Sequence, residues 1–229
     1  LKENISYEIA SGPISATGGV SKRPRSGIYA AFGKRVCDLV FAFALLPILV
    51  PVIAILWGLT RLDGGPGFFG HKRVGKDRRQ FSCWKIRTMV PDAEAKLKQY
   101  LSENPDAMAQ WQRDFKLDND PRITRLGNFL RKTSLDELPQ IWNVIRGEMS
   151  FVGPRPVVQD ELLRYGEAEK YYLSVRPGIT GLWQVSGRND ISYADRVRMD
   201  RIYASRYSML QDTKIIAKTA TVVLFPTGK

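Results

Sequence analysis

Residues Leu39–Thr60 read LVFAFALLPILVPVIAILWGLT, 22 residues without a charge. A bilayer core takes about 20 apolar residues as one helix, so length alone permits a crossing. Pro47 and Pro51 fall in the middle, and each removes a backbone donor and crowds the preceding turn. Basic residues flank both ends: Lys34 and Arg35 before, then Arg61, Lys72, Arg73, Lys76, Arg78 and Arg79 after. Positive charge is retained on the cytoplasmic side, so symmetric flanks favour both ends facing the cytoplasm. Two readings stay open: a kinked helix that dips into one leaflet and returns, and a kinked helix that crosses. A buried helix of a soluble domain is the weaker third.

Outward from this run the chain divides into three. Residues 1–28, rich in Gly, Ser and Pro, are expected to form a mobile lead-in. No apolar segment begins near residue 1, so a secretory signal is not expected. Residues 29–62 hold the membrane helix, and residues 63–229 read as a mixed, mostly helical α+β domain. Strand-like pieces are expected around Phe68–Gly70 and Phe81–Met89, and a polar helix over Asp92–Lys116, broken near Pro105. Leu138, Ile141, Trp142 and Ile145 share one helical face. Further helices are expected over Gln159–Leu173, Tyr193–Tyr207 and Asp212–Leu224. The last two mix Arg196, Arg198, Arg201, Arg206, Lys214 and Lys218 with apolar residues. That pattern suits either an ordinary solvated face or a basic surface resting on lipid headgroups.

Composition narrows the partners. With 35 Lys and Arg against 23 Asp and Glu, the formal charge is +12, which suits an anionic partner. Cys37 and Cys83 stand far apart and form neither a disulfide nor a metal pattern, so a reducing compartment is expected. A histidine triad would have to use His71, the single histidine, and a zinc site of usual composition is nearly excluded.

The stretch Leu130–Pro156, LRKTSLDELPQIWNVIRGEMSFVGPRP, carries the chemistry. Asp136 and Glu137 stand together at the start of a helix. Ser134 with Glu137 three positions later would make a capping box, but Pro139 lacks the amide that such a start requires. A start nearer Asp136 tolerates the proline and sets both acids among free backbone N–H groups, where a carboxylate or a phosphate is favoured. Arg131, Arg155, Arg176 and Arg188 lie close to prolines, glycines or the acids, in settings expected to be stiff turns. A fixed guanidinium suits phosphate oxygens, and four that converge would form a pyrophosphate site.

From about Gly33 to Leu224 the chain resembles the small bacterial phosphoglycosyl transferases, the polyprenyl-phosphate hexose-1-phosphate transferases. The resemblance rests on KRVCD before the apolar run, KIRTM at Lys85–Met89, SLDELPQIWNVIRGEMSFVGPRP at Ser134–Pro156 and RPGITGLWQVSGRND at Arg176–Asp190. It implies a monotopic protein of the bacterial inner membrane, with a re-entrant helix and a catalytic domain on the cytoplasmic face. The family breaks that helix at a Ser-Pro pair; here Val50-Pro51 keeps the proline without the serine, and Pro47 adds a second break. Larger members carry several membrane helices ahead of this core, for which these 229 residues leave no room.

The resemblance further implies that Asp136 is a nucleophile toward a UDP-sugar and that undecaprenyl phosphate is the acceptor. Glu137 matches the magnesium-binding acid. Lys85, Arg87, Arg131, Arg155 and Asp200 fall where the family keeps substrate-holding or polar residues, and Arg176 and Arg188 are expected to hold the nucleotide or its phosphates. Galactose-1-phosphate is preferred over glucose-1-phosphate as the transferred group, in exopolysaccharide repeat-unit synthesis. Anionic lipids of the inner leaflet are expected partners, nucleic acid is not, and a homodimer is one arrangement left open.

Three rivals explain less. A nucleic-acid binder accounts for the charge but not for the uncharged run, and neither a recognition motif nor stacking aromatics among basic residues is present. An aspartyl-phosphate phosphatase would place its acid after a buried strand of a doubly wound sheet. A non-catalytic membrane scaffold of this fold would have no use for the acid pair.

Overall fold

A computed structural model describes residues 27–114, 117–187 and 191–224. The expected lead-in over residues 1–28 therefore lies almost wholly outside the described residues. A π-helical turn, Tyr29–Gly33, runs into a 28-residue helix, α1 (Lys34–Arg61). Strands β1 (Phe68–Val74) and β2 (Gln80–Ile86) pair as a two-stranded sheet, followed by α2 (Ala93–Glu103), α3 (Pro105–Asp114) and α4 (Arg125–Thr133). Next come α5 (Gln140–Arg146), β3 (Ser150–Val152), α6 (Gln159–Leu163), α7 (Glu169–Ser174), β4 (Gly178–Thr180), α8 (Tyr193–Arg206) and α9 (Met209–Leu224). The chain is thus mostly helical α+β, as expected.

Helix α1 is long and apolar enough to cross a membrane, and only 11% of its most apolar window is buried. Val40, Phe43, Ile48, Val50 and Ile55 are exposed, which is not how a soluble core helix places its side chains. Helical geometry is kept through both Pro47 and Pro51 rather than stopping at either.

The described residues fall into two compact units. One gathers those of Leu1–Leu45, His71–Cys83 and Gln140–Lys229. Its parallel pair sets Ser150 against Gly178 and Val152 against Thr180. A Cβ on Gly178 would lie 2.1 Å from the Gly153 nitrogen, so only glycine permits this approach. Around the pair, Val152, Leu182, Tyr203 and Ile215 form a core, and Val74, Val157, Leu162, Tyr165 and Tyr172 form a second. The start of α1 is tied in by Asp38, whose Oδ1 accepts from Ser150 Oγ and the Phe151 amide at 3.0 and 3.1 Å. Arg35 donates to the carbonyls of Val144 and Ile145, capping α5 with a positive charge.

The other unit holds Leu46–Gly70 and Trp84–Pro139. Leu56 of α1, Ile86 and Leu130 are its buried centre, with Val52, Ile53, Leu126, Leu135 and Leu138 packed around them.

Several sequence expectations are corrected. The Asp92–Lys116 helix does break as expected, at Asn104. The continuous Gln159–Leu173 helix is instead two, with a 3₁₀ turn, Gly166–Ala168, between them that opens on the positive φ of Gly166, +51°. Trp142 does not share the buried face of α5; it is 54% exposed, and Gln140 and Asn143 are buried beside Ile141 and Val144. Burial of those two polar residues is what a hydrophobic-period reading misses. In α8, Arg196 stacks over Trp183 and Arg201 over Tyr171, so two of the basic residues engage rings of their own unit.

Candidate active site

The site is built by two glycine and serine positions. Thr124 caps α4, its hydroxyl accepting from the Gly127 amide at 2.8 Å. A Cβ on Gly127 would lie 2.0 Å from the Thr88 carbonyl oxygen, so glycine lets α4 lie against the segment after β2. One turn on, Arg131 reaches the same segment and donates from Nε to Thr88 Oγ1 at 2.9 Å. Ser134 then takes a left-handed conformation, φ +58°, which ends α4 and turns the chain into a single 3₁₀ turn, Leu135–Glu137.

That turn carries both acids. Leu135 and Leu138 pack toward the Leu56–Ile86–Leu130 core, which fixes the residues between them. Lys85, from β2, places Nζ 2.7 Å from Glu137 Oε1 and 3.4 Å from Asp136 Oδ2. Asp136 is 6% exposed, whereas Glu137 is half-buried. Burial pushes the Asp136 carboxyl above the usual carboxylate range; Lys85 pulls it down, Glu137 pushes it up, and Arg131 adds a weaker downward pull. The result is a partly desolvated carboxylate held near cations, a suitable state for a nucleophile.

The acids do not lie within the first turn of an α-helix, as the sequence suggested. Ser134 makes no side-chain cap, and α5 begins only at Gln140. Pro139 stands immediately before that start, where its missing amide costs the helix no bond.

The other expected site residues divide. Arg131 belongs here, although on a helix rather than a stiff turn. Arg87 is 7% exposed and its guanidinium faces inward. It binds Asp63 twice and the carbonyls of Pro66, Met89 and Thr60, which engages all five of its N–H donors. It is a clamp on the loop after α1, and this corrects its expected role as a substrate ligand. Its hold keeps the Asp63 carboxyl below the usual range.

In the first unit, Asp200 is 1% exposed and accepts from the Tyr165 hydroxyl at 2.8 Å, so it is not open to substrate there. Arg155 is exposed; partial burial, and then the charge of Arg155, lower the pKa of the half-buried Arg73 nearby. Arg176 donates from Nε to the Gly147 carbonyl at 2.8 Å. Arg188 lies outside the described residues. Thr88, which orients Arg131, was also missed; the only sequence hint is its place inside KIRTM.

An apolar helix competent for a membrane, packed against a turn bearing a lysine-bridged carboxylate pair, defines a membrane-associated protein with a carboxylate-centred site. The chain belongs to the bacterial sugar transferase family, whose sequence model matches residues 29–226. It is similar to a UDP-galactose-lipid carrier transferase of Erwinia amylovora, 53% identical over 193 residues, 84% of this chain and 40% of the relative. An undecaprenyl-phosphate galactose phosphotransferase of Salmonella typhimurium is 51% identical over the same share of each chain. The exopolysaccharide production protein ExoY of Sinorhizobium fredii is 47% identical over 207 residues, 90% of both chains. The chain thus spans about 40% of the length of the first two relatives.

Proposed function

We propose that this chain transfers hexose-1-phosphate, with galactose-1-phosphate preferred, from a UDP-sugar to undecaprenyl phosphate. The observation that carries this reading is the placement of Asp136. It sits in a turn whose flanking leucines pack on the apolar helix, and Lys85 bridges it to Glu137. A reaction between a water-soluble donor and a lipid phosphate needs its nucleophile beside the membrane.

In the first step an Asp136 carboxylate oxygen attacks the β-phosphorus, and the bond to the α-phosphate oxygen breaks. UMP leaves with that electron pair, and a sugar-1-phosphoryl aspartate remains. A phosphate oxygen of the lipid then attacks the same phosphorus, giving the polyprenyl diphosphate sugar and restoring Asp136. Two easier displacements replace one between two anions. Lys85 and Arg131 oppose the negative charge that gathers during each step.

Adjacent carboxylates, completed by phosphate oxygens and water, form a donor set that suits magnesium. Lys85 engages Oε1 of Glu137, and Glu137 is the residue that would hold the ion. Bound there, magnesium would neutralise charge at the phosphoryl oxygens. Arg155 and Arg188 are the guanidiniums we assign to the nucleotide phosphates.

Helix α1 is read as re-entrant from the cytoplasmic face of the inner membrane. Pro47 and Pro51 are four residues apart, so their missing backbone bonds fall on one side of the helix and their bends add. Lys34, Arg35 and Arg61 bracket the apolar run with positive charge, which suits both ends on one side and anionic headgroups there.

The test is transfer from labelled UDP-galactose and UDP-glucose to undecaprenyl phosphate in nanodiscs with magnesium. Labelled lipid with equimolar UMP from wild type, and none from Asp136→Asn, is expected. Release of UDP instead of UMP would overturn the reaction, and preference for UDP-glucose would overturn the sugar.

A further inference from the structure

A cavity of about 50 Å³ opens beside the first turns of α1, lined by Lys34, Arg35, Asp38, Lys76, Ser174 and Arg176 among others. Every lining residue belongs to the first unit, whereas the acid pair belongs to the second. Two guanidiniums converge at its wall: a methyl built on Gly147 would lie 3.4 Å from Arg35 and 4.0 Å from Arg176. Both are held in place by carbonyls, Arg35 by those ending α5 and Arg176 by that of Gly147. Like charges held together at a half-buried wall call for a counter-charge. The local carboxylates do not supply enough. Asp212 is paired with Lys34 at 2.6 Å, and Asp38 is bound to Ser150 and the Phe151 amide. Against these two acids stand Lys34, Arg35, Lys76 and Arg176, a surplus of about two positive charges. Roughly 10–15 Å³ accommodates one water, so the cavity has room for a phosphate group.

The surroundings specify where that phosphate comes from. Lys34, Arg35 and Asp38 occupy one face of the helix, and Phe32, Val36 and Val40 the opposite face on the same turns. Phe32 is 69% exposed, and Ile28 just before it is 88% exposed. Tyr207 also lines the cavity, and Met209 and Leu210 follow it in sequence, 60% and 67% exposed. A phosphate dissolved in water gains nothing from apolar side chains, whereas a lipid gains from the cavity and the apolar surface together. We propose that this cavity binds the phosphate of an anionic phospholipid where α1 enters the bilayer. The assignment rests on the membrane reading of α1 but not on the transfer reaction, and it moves Arg176 from the nucleotide to the lipid.

The test uses the full chain in neutral detergent, titrated with short-chain phosphatidylglycerol, the matching diacylglycerol, inorganic phosphate or UMP, and bound species counted by native mass spectrometry. Wild type is expected to retain one phosphatidylglycerol and no diacylglycerol. Lys76→Glu should weaken retention on the order of ten-fold, and Lys76→Arg should preserve it. Equal retention by wild type and Lys76→Glu overturns the proposal. So does binding of inorganic phosphate or UMP as tight as that of the lipid. Occupancy is read without sugar transfer, so failure here leaves the proposed reaction standing.

Discussion

Lys85 Nζ lies 2.7 Å from Glu137 Oε1, and through that contact it also stands within reach of Asp136. One cation thus serves two acids that would otherwise repel each other. Burial raises the Asp136 carboxyl, and Lys85 is the strongest influence pulling it back. Removing Lys85 therefore raises it further.

For Lys85→Met we expect kcat to fall roughly 100-fold, as when one charge-stabilising donor is lost. The sign of the pH effect follows from the same contact. The proposed nucleophile, Asp136, acts only when ionised, so the acidic limb of the pH–rate profile should move to higher pH in Lys85→Met. Glu137→Gln removes a neighbouring negative charge and should move any residual limb the other way. An unmoved limb in Lys85→Met would show that Lys85 does not set the state of Asp136.

Gly127 tests the scaffold rather than the chemistry. A methyl there meets the Thr88 carbonyl oxygen at 2.0 Å, and backbone cannot yield as a side-chain tip does. Gly127→Ala should cost about 2–3 kcal/mol and lower the melting temperature by roughly 5 °C or more. It should also reduce turnover, because it pushes Arg131 away from Thr88. Gly58, with nothing within 4 Å of a built Cβ, is the matched control, and Gly58→Ala should do neither.

Asp200 makes stability depend on pH. Burial pushes its carboxyl up to about 7, against the downward pull of the Tyr165 hydroxyl bond. The folded chain keeps this proton up to about pH 7, while the unfolded chain releases it near pH 4. The contribution is fully present below about pH 4 and is lost as pH rises through 7, up to about 4 kcal/mol across the range. Asp200→Asn should flatten that slope and be relatively more stable than wild type at pH 8 than at pH 5. Parallel stability curves for the two proteins would contradict this.

Much of this arrangement was legible because it is written in local patterns. The uncharged run at Leu39–Thr60 announces the membrane helix, and Asp136-Glu137 announces the site. Lys85 could be placed only through the family resemblance, since 51 residues separate it from Asp136 and no periodicity links them. Arg87 shows the opposite failure. Two positions from Lys85, it looks like a second substrate cation, yet its partners Thr60, Asp63 and Pro66 lie across a chain reversal that no local rule specifies. The helix start expected near Asp136 is instead a 3₁₀ turn entered from Ser134, the left-handed end of α4, a positive φ that no pattern around a serine announces. The buried polar pair Gln140 and Asn143 likewise hides from a reading that equates buried with apolar.

The most direct measurement is to mix the protein with UDP-galactose and magnesium in the absence of lipid acceptor, quench, and map adducts by peptide mass spectrometry. One hexose phosphate is expected on the peptide containing Asp136, discharged on addition of undecaprenyl phosphate and absent from Asp136→Asn. Turnover with lipid present but no adduct without it, or an adduct on another residue, would contradict Asp136 as the nucleophile.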